Sequence, residues 1–506
     1  MYLCYDRKNG VEYGKVCCSH WVDGKDRKTY INLGRVIDKQ NHIFKNPKRG
    51  LFRYDPEQDL YFDVDESKYS SSPVTHSPSL ILSFGDVWFL NEYLKSTGLL
   101  ECLKAVDGQF DTVVSLVMYY ILNQLALVHA QDWYESSYVS YLYPKARMDS
   151  QRLSEQLSLI GSEESYRSFF KSYIGWMKND QENIDNILVD STGLPNSIHF
   201  PLTAVSNHNG KISNEIRLIY VTQEETGIPI YLRYVCGSIP DVLTIPATIK
   251  ELKEMSVPIK EVLLDAGYYS EKNVIRLYTE NVKFVYRVKE NLRLFKELVS
   301  IHRKEIENQD NLVKFGKRLV FIKARAVNLA PNCPGYAYIC LDLARRASES
   351  MNMLNHLDPD SGTSTELFEK LESEGFFILA SSNELAIEEI LPVYYTRQQV
   401  EQTFDIGKNY TGLLPVRIQS EECLKGHLLI TFIASMIVKR IQLELLNHEN
   451  KRTKKLNPIS LFQNLGYQRC SVFEDKIIIH EADSKANQGY KLFKIKVPEE
   501  LNLGSR

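Results

Sequence analysis

Tyr394, Arg397, Glu401 and Lys408 follow one another at spacings of three, four and seven residues. At 100° per residue a helix gathers these four within about 60° of one another on one face. Such a face holds charge where a helix would ordinarily carry its buried stripe. Two aspartates extend the pattern, because Asp190 ends the apolar run Ile187, Leu188, Val189 and Asp265 ends Val262, Leu263, Leu264. An ionised carboxylate at the end of a buried strand costs several kcal/mol unless it is paired or metal-bound. Asp190, Asp265 and Glu401 therefore make a candidate trio of hard oxygen ligands. Such a set suits two Mg²⁺ or Mn²⁺ ions about 4 Å apart, clamping the attacking and leaving oxygens of a phosphodiester reaction. Beside it, a phosphate would give Arg397 a bidentate partner and Lys408 a point-charge partner. Tyr394 is suited to stack on a base or to bond a phosphate oxygen, so the segment reads as a DNA-strand clamp.

Each residue also has a plainer reading. Asp190 can cap the turn at Ser191, Thr192 and Gly193, Asp265 can bond the backbone of the Gly267 turn, and Glu401 can pair with Arg397. Jointly these alternatives leave the shared placement of the three acids to coincidence. Asp241, after Pro240, fits a helix N-cap better than a fourth ligand, and His208 reads as a turn residue rather than a base.

From Ile184 onward strands and helices alternate, as in an α/β sheet. Strands are expected at 187–193, 216–222, 228–235, 262–267, 282–288 and 376–380, and helices at 245–255 and at 271–279 capped by Ser270. Ligands gather beyond the carboxyl ends of strands in such sheets, and a helix crossing that edge would bring Glu401 to both aspartates. Residues 292–370 interrupt the rhythm with strand-like pieces and read as a β-rich insertion. Residues 1–78 read as a basic β-rich region ending in a linker at Ser70–Pro78, and 79–180 as a helical domain. Within it, 151–160 and 166–177 flank Gly161 with Ser162 as a cap. They read as an αα-hairpin, with a DNA-reading helix-turn-helix as the alternative. The α/β sheet occupies 181–291 and 371–447, with 448–506 as a C-terminal region that opens on the basic run Lys451–Lys455.

A chain of 506 residues is long enough for two to four domains, and 43% hydrophobic with 25% charged residues describes a globular protein. The net charge of −3 excludes a uniformly basic coat for nucleic acid, so DNA contact must come from local patches. The first fifty residues supply one, with eleven Lys or Arg against five acids. Nine scattered cysteines without a CxxC pair exclude zinc-finger spacing and predict reduced thiols. No apolar leader or span-length apolar run is visible, so an intracellular, soluble protein without a membrane partner is expected.

The combination of Asp190-Ser-Thr-Gly, Asp265-Ala-Gly-Tyr-Tyr-Ser and the Tyr394, Arg397, Glu401, Lys408 spacing resembles the DDE transposases of bacterial insertion sequences, in the group named for its Y-R-E-K pattern. The resemblance covers roughly 186–439. It implies a ribonuclease-H-like catalytic domain and Mg²⁺-dependent cleavage at transposon ends. The 3′-hydroxyl so exposed would attack target DNA without a covalent enzyme intermediate. It further implies that Tyr394, Arg397 and Lys408 hold end phosphates, that two ends are synapsed by a homodimer, that the N-terminal portion reads the end sequence, and that the protein works on double-stranded DNA in a prokaryotic cytoplasm, at the nucleoid. Some relatives pass through a hairpin intermediate in which an insertion tryptophan stabilises a flipped base. Here Trp21, Trp88, Trp133 and Trp176 all precede the insertion, leaving Phe315, Tyr336 and Tyr338 as candidates. Another ribonuclease-H-like nuclease, or a DNA-binding protein that has lost catalysis, are the rival readings. A two-carboxylate glycosidase leaves Arg397 and Lys408 without a role.

Overall fold

A computed structural model describes residues 2–8, 11–22, 25–64, 78–180, 183–196, 201–208, 211–355, 371–416, 418–448 and 456–503. Most of the expected linker, the Asp358–Gly362 loop of the expected insertion and the basic run Lys451–Lys455 lie outside them. The chain forms two compact units. One comprises 1–89, 136–138 and 461–506, and the other 90–135 and 139–460.

In the first unit, alternating apolar residues build an antiparallel meander of six strands. These are β1 (Tyr2–Lys8), β2 (Val11–Val22), β3 (Lys25–Asp38), β4 (Ile43–Asn46), β5 (Gly50–Asp55) and β6 (Leu60–Asp63), paired in chain order. Val16, Leu33, Phe44, Phe52 and Tyr54 bury one face, while Tyr2, Trp21 and Tyr30 stand exposed. Gly14 is required there, since a Cβ on it would lie 2.2 Å from the Phe44 ring. A second sheet joins β7 (Leu80–Ser83) to β18 (Arg469–Val472), β19 (Lys476–Ile479) and β20 (Glu500–Asn502). The pairing of β7 with β18 joins Leu80 to Val472, 392 positions apart, and no local signal announces it.

The second unit carries a mixed sheet. Its strands are β8 (Asn186–Pro195), β9 (Ala204–His208), β10 (Lys211–Gln223), β11 (Pro229–Cys236), β12 (Glu261–Leu264), β13 (Lys283–Val288), β14 (Leu312–Phe315), β15 (Arg318–Ala330), β16 (Cys333–Asp342) and β17 (Phe376–Ser381). The order is β11-β10-β8-β12-β13-β17-β16-β15-β14, with β9 paired to β10. Only β8–β12 and β12–β13 are parallel among the pairs described. This is the mixed α/β sheet expected from the alternation of elements. The strand pieces between 292 and 370 do not form a sheet of their own, because β16 pairs along β17 and prolongs the main sheet. Helices Arg293–His302 and Leu343–Asn355 accompany them.

A 27-residue helix, Glu421–Asn447, runs through this unit and is buried along most of its length, as a helix apolar on all sides must be. Ser420 caps it by accepting from the Cys423 amide. The pair Ser150–Ile160 and Glu163–Asn179 forms as the Gly161 break and the Ser162 cap predict. Phe169, Phe170 and Tyr173 of its second helix pack on Phe432, which is the association of an αα-hairpin with its neighbours. Two glycines permit it. A Cβ at Gly161 would lie 2.1 Å from the Glu422 carbonyl oxygen, and one at Gly426 would lie 2.0 Å from that of Leu157. All nine cysteines are free, and no single described helix is long and apolar enough to cross a membrane.

Candidate active site

The aspartates meet because of strand register. In the parallel ladder of β8 and β12, Val189 stands opposite Leu264, the last pair before β12 ends. Asp190 and Asp265 are the next residues on each side, brought together at the carboxyl edge of the ladder. Asp190 ends the apolar run but not the strand, as the expected strand at 187–193 requires. β8 continues through Asp190 to Pro195 by pairing with β10 alone, with Asp190 opposite Tyr220. The strand expected to run to Gly267 stops at Leu264, and Asp265 leads a 3₁₀ turn, Ala266–Tyr268, without a side-chain cap bond, so the capping alternative does not hold for it.

The 394–408 segment is not one helix. It comprises helices Ile390–Tyr395 and Gln398–Asp405 and a π-helical turn, Ile406–Tyr410. The break follows from hydrogen bonding, since the Thr396 hydroxyl donates to the Val393 carbonyl at 2.7 Å and amides there turn to carbonyls three residues back. The π turn closes with the Thr411 amide on Ile406 at 2.9 Å, and Gly412 at φ 75° ends it. Wide turns of this kind are frequent at functional sites.

Despite the break, Arg397 joins the trio. Its guanidinium lies 2.7 Å from Asp265, 3.3 Å from Glu401 and 3.7 Å from Asp190. Because Asp190 and Glu401 both approach Nη2, their nearest oxygens are at most about 7 Å apart, against the roughly 4 Å between ions in a dinuclear centre. Asp190 also accepts from the Ser191 amide at 2.8 Å, as its capping alternative predicts. Tyr394 is buried, and its hydroxyl accepts from Arg397 at 3.2 Å, so its ring is not open for stacking on a base. Lys408, carried round by the π turn, donates to the hydroxyl of Thr192, two residues beyond Asp190 on the same face of β8.

Burial pushes the Asp190 carboxyl up to about 7, with Arg397 pulling the other way. Burial opposes the charge on Arg397, and Asp265 and Asp190 more than offset it, so its pKa rises. Burial lowers that of Lys408. The donor set suits a hard divalent cation: three carboxylates share a single guanidinium, and the partly buried Asp190 carboxyl is pushed up despite it. Among the described residues, however, no group of three or more His, Cys, Asp or Glu is gathered as a ready-made metal site. The carboxylates converge on Arg397 instead.

Other side chains hold the Glu401 helix. Thr403 donates to the Gly227 carbonyl at 2.7 Å. Gly227, at φ 70°, has no room for a side chain, since its Cβ would lie 2.7 Å from that of Gln399. Buried Lys439 donates to the side-chain oxygens of Gln399 and Gln402 at 3.0 and 3.2 Å. Sequence reasoning missed Lys439 and Thr192. The signal for the first was a lysine inside an otherwise apolar helical run.

Asp241 does not cap a helix. It begins the 3₁₀ turn Asp241–Leu243 and accepts from the Ser191 hydroxyl at 2.6 Å and from Arg217 at 2.7 Å. His208 lies in β9 rather than in a turn. Of the aromatic candidates, Tyr338 is buried with its hydroxyl donating to the Leu385 carbonyl, whereas Phe315 is stacked on Tyr395 at 5.1 Å.

A family model described as a transposase DDE domain matches residues 183–437, just over half of the chain. Among solved structures, the chain is similar to one titled as a cryo-EM structure of the piggyBac transposase synaptic complex with hairpin DNA. They share 14% identity over 71% of each chain, with a TM-score of 0.36. A comparison with curated proteins returns no match.

Proposed function

The chain belongs to the transposase DDE-domain family, and from that premise we propose that it cuts DNA at the ends of a bacterial insertion sequence and joins the freed ends to target DNA. The observation that carries this reading is that one guanidinium, Arg397, reaches Asp190, Asp265 and Glu401 together.

The three carboxylates are the residues that would hold two Mg²⁺ or Mn²⁺ ions. The chemistry such ions supply when bound is activation of the attacking oxygen and neutralisation of charge on the leaving one. Arg397 occupies the carboxylates in the absence of DNA and turns to a phosphate when the strand enters, releasing the acids for cations. Lys408, anchored on Thr192, supplies a point charge to the same backbone, and Tyr394 contributes through the hydroxyl that orients Arg397. In the first step water attacks the phosphorus, the P–O3′ bond breaks and a 3′-hydroxyl leaves. In the second that hydroxyl attacks a target phosphodiester, forming one P–O bond as another breaks. A homodimer holding both ends in a ribonuclease-H-like site at the nucleoid of a prokaryotic cell completes the reading.

The test is to incubate the full chain and Mg²⁺ with a duplex carrying the DNA that flanks its coding region. Breaks at inverted repeats, leaving 3′-hydroxyl ends, are expected. Intact duplex in both Mg²⁺ and Mn²⁺, with the repeats present, overturns the proposal.

A further inference from the structure

β8 has a second face. Ser191 and Gly193 alternate with Asp190 and Thr192 and so point away from the Glu401 helix. In the ladder, Gly193 stands opposite Arg217 on β10. A Cβ on Gly193 would lie 2.1 Å from the Glu215 carboxylate, so the glycine makes room for that side chain. Glu215 and Arg217 are buried at 4% and 6% exposure, paired at 3.4 Å, and Arg217 meets Asp241 at 2.7 Å.

Asp241 lies between the two aspartate segments. On one side it accepts from the Ser191 hydroxyl at 2.6 Å, one residue past Asp190. On the other its Oδ2 would stand 3.2 Å from a Cβ on Gly267, two residues past Asp265. A second link runs parallel to it. The buried amide of Asn273 donates to the carbonyls of Val242, next to Asp241, and of Tyr268, in the Asp265 turn, at 2.7 and 2.8 Å. The small residues of both aspartate motifs thus border one buried polar cluster. Asp241 is hydrogen-bonded to β8 through Ser191, and Asn273 ties the Asp241 segment to the turn after β12, so the two aspartate segments are linked beyond the point where the ladder itself stops.

We propose that Asp241, held by Arg217, is a positioning residue that sets the separation of Asp190 and Asp265 for metal binding. This rests on the reading that these carboxylates hold divalent cations. An outer group that fixes a ligand's orientation typically governs metal affinity or activity by about 10- to 100-fold. A pair that served stability alone would leave metal affinity unchanged.

Ser191→Ala removes the hydroxyl link while leaving the Arg217–Asp241 pair in place, so its fold should persist. The measurement is the Mn²⁺ concentration that gives half of the Mn²⁺-induced rise in melting temperature of the full chain. It is set beside metal-free binding of flanking-repeat duplex and the kcat and KM of cleavage. For Ser191→Ala the expected result is an Mn²⁺ midpoint raised about 10- to 100-fold, a small drop in metal-free melting from the one lost hydrogen bond, unchanged DNA binding, and lower kcat at constant KM. Ser191→Thr, which keeps a hydroxyl, should restore the midpoint, and Asp241→Asn should reproduce the loss. Wild-type midpoints in Ser191→Ala and Asp241→Asn, with the parent chain responding to Mn²⁺, would overturn the positioning role alone. A parent chain with no Mn²⁺-dependent stabilisation would instead overturn the metal site and, with it, this proposal.

Discussion

Arg397 donates to Asp265 across 132 positions of the chain, at 2.7 Å. Under the proposed function, this stores an arginine that would meet a DNA phosphate against the acids that the reaction would need free. The guanidinium takes one oxygen of each acid, Asp265 Oδ1, Asp190 Oδ2 and Glu401 Oε1, and so competes for them with any divalent cation.

Glu401 is the member of the trio most easily tested. Glu401→Gln should leave binding to flanking-repeat duplex intact and reduce Mg²⁺-dependent cleavage by about 10³-fold or more, roughly 4 kcal/mol of transition-state stabilisation. Cleavage at the parental rate would remove Glu401 from the mechanism.

Arg397→Ala should weaken engagement of end DNA and flatten the dependence of log K on log salt by about one unit, one phosphate contact being lost. An unaltered slope in a binding titration from low to physiological salt would show that Arg397 serves the carboxylates alone.

Lys439 gives a pH signature. Burial lowers its pKa to about 8 from an ordinary 10.5. Between these values the unfolded chain binds a proton that the native chain does not, so stability rises with pH across that window. Below about 8 the cost of burying the charge is present in full. Lys439→Met should remove this rise, seen as the difference between parent and variant in denaturant melts at pH 7.5 and 10.5. Parallel curves would mean that the amine titrates normally.

The packing of the helical pair on the long helix predicts opposite outcomes for two glycines. Gly426→Ala places a Cβ 2.0 Å from the Leu157 carbonyl oxygen and should cost about 1–3 kcal/mol by overpacking. Gly175, inside the helix Glu163–Asn179, has open space around it. Gly175→Ala should therefore stabilise by roughly 0.5–1 kcal/mol through helix propensity. Equal denaturation midpoints for the two variants would contradict the close approach.

Much of the site was legible in the chain. An acid terminating an apolar run is a costly placement, so Asp190 and Asp265 stand out without any knowledge of neighbours. The Ser270 and Ser162 caps likewise act within a turn of their own position. The face shared by Tyr394 and Lys408 was less reliable. It assumed unbroken 100° steps, and a threonine hydroxyl and a π turn change the helix along its course.

By itself, the sequence determined the carboxylate trio, the alternation of strands and helices, and the ends of several helices, because these follow from local cost, period and capping. Only the tertiary structure decided that Val189 and Leu264 share a register, that Tyr394 is buried beneath Arg397, and that Asp241 binds Ser191 rather than a helix end. Such relations depend on which distant strands pair and how far each runs past the other. Loop closure and burial over the whole unit govern that choice, and no short window of residues carries it.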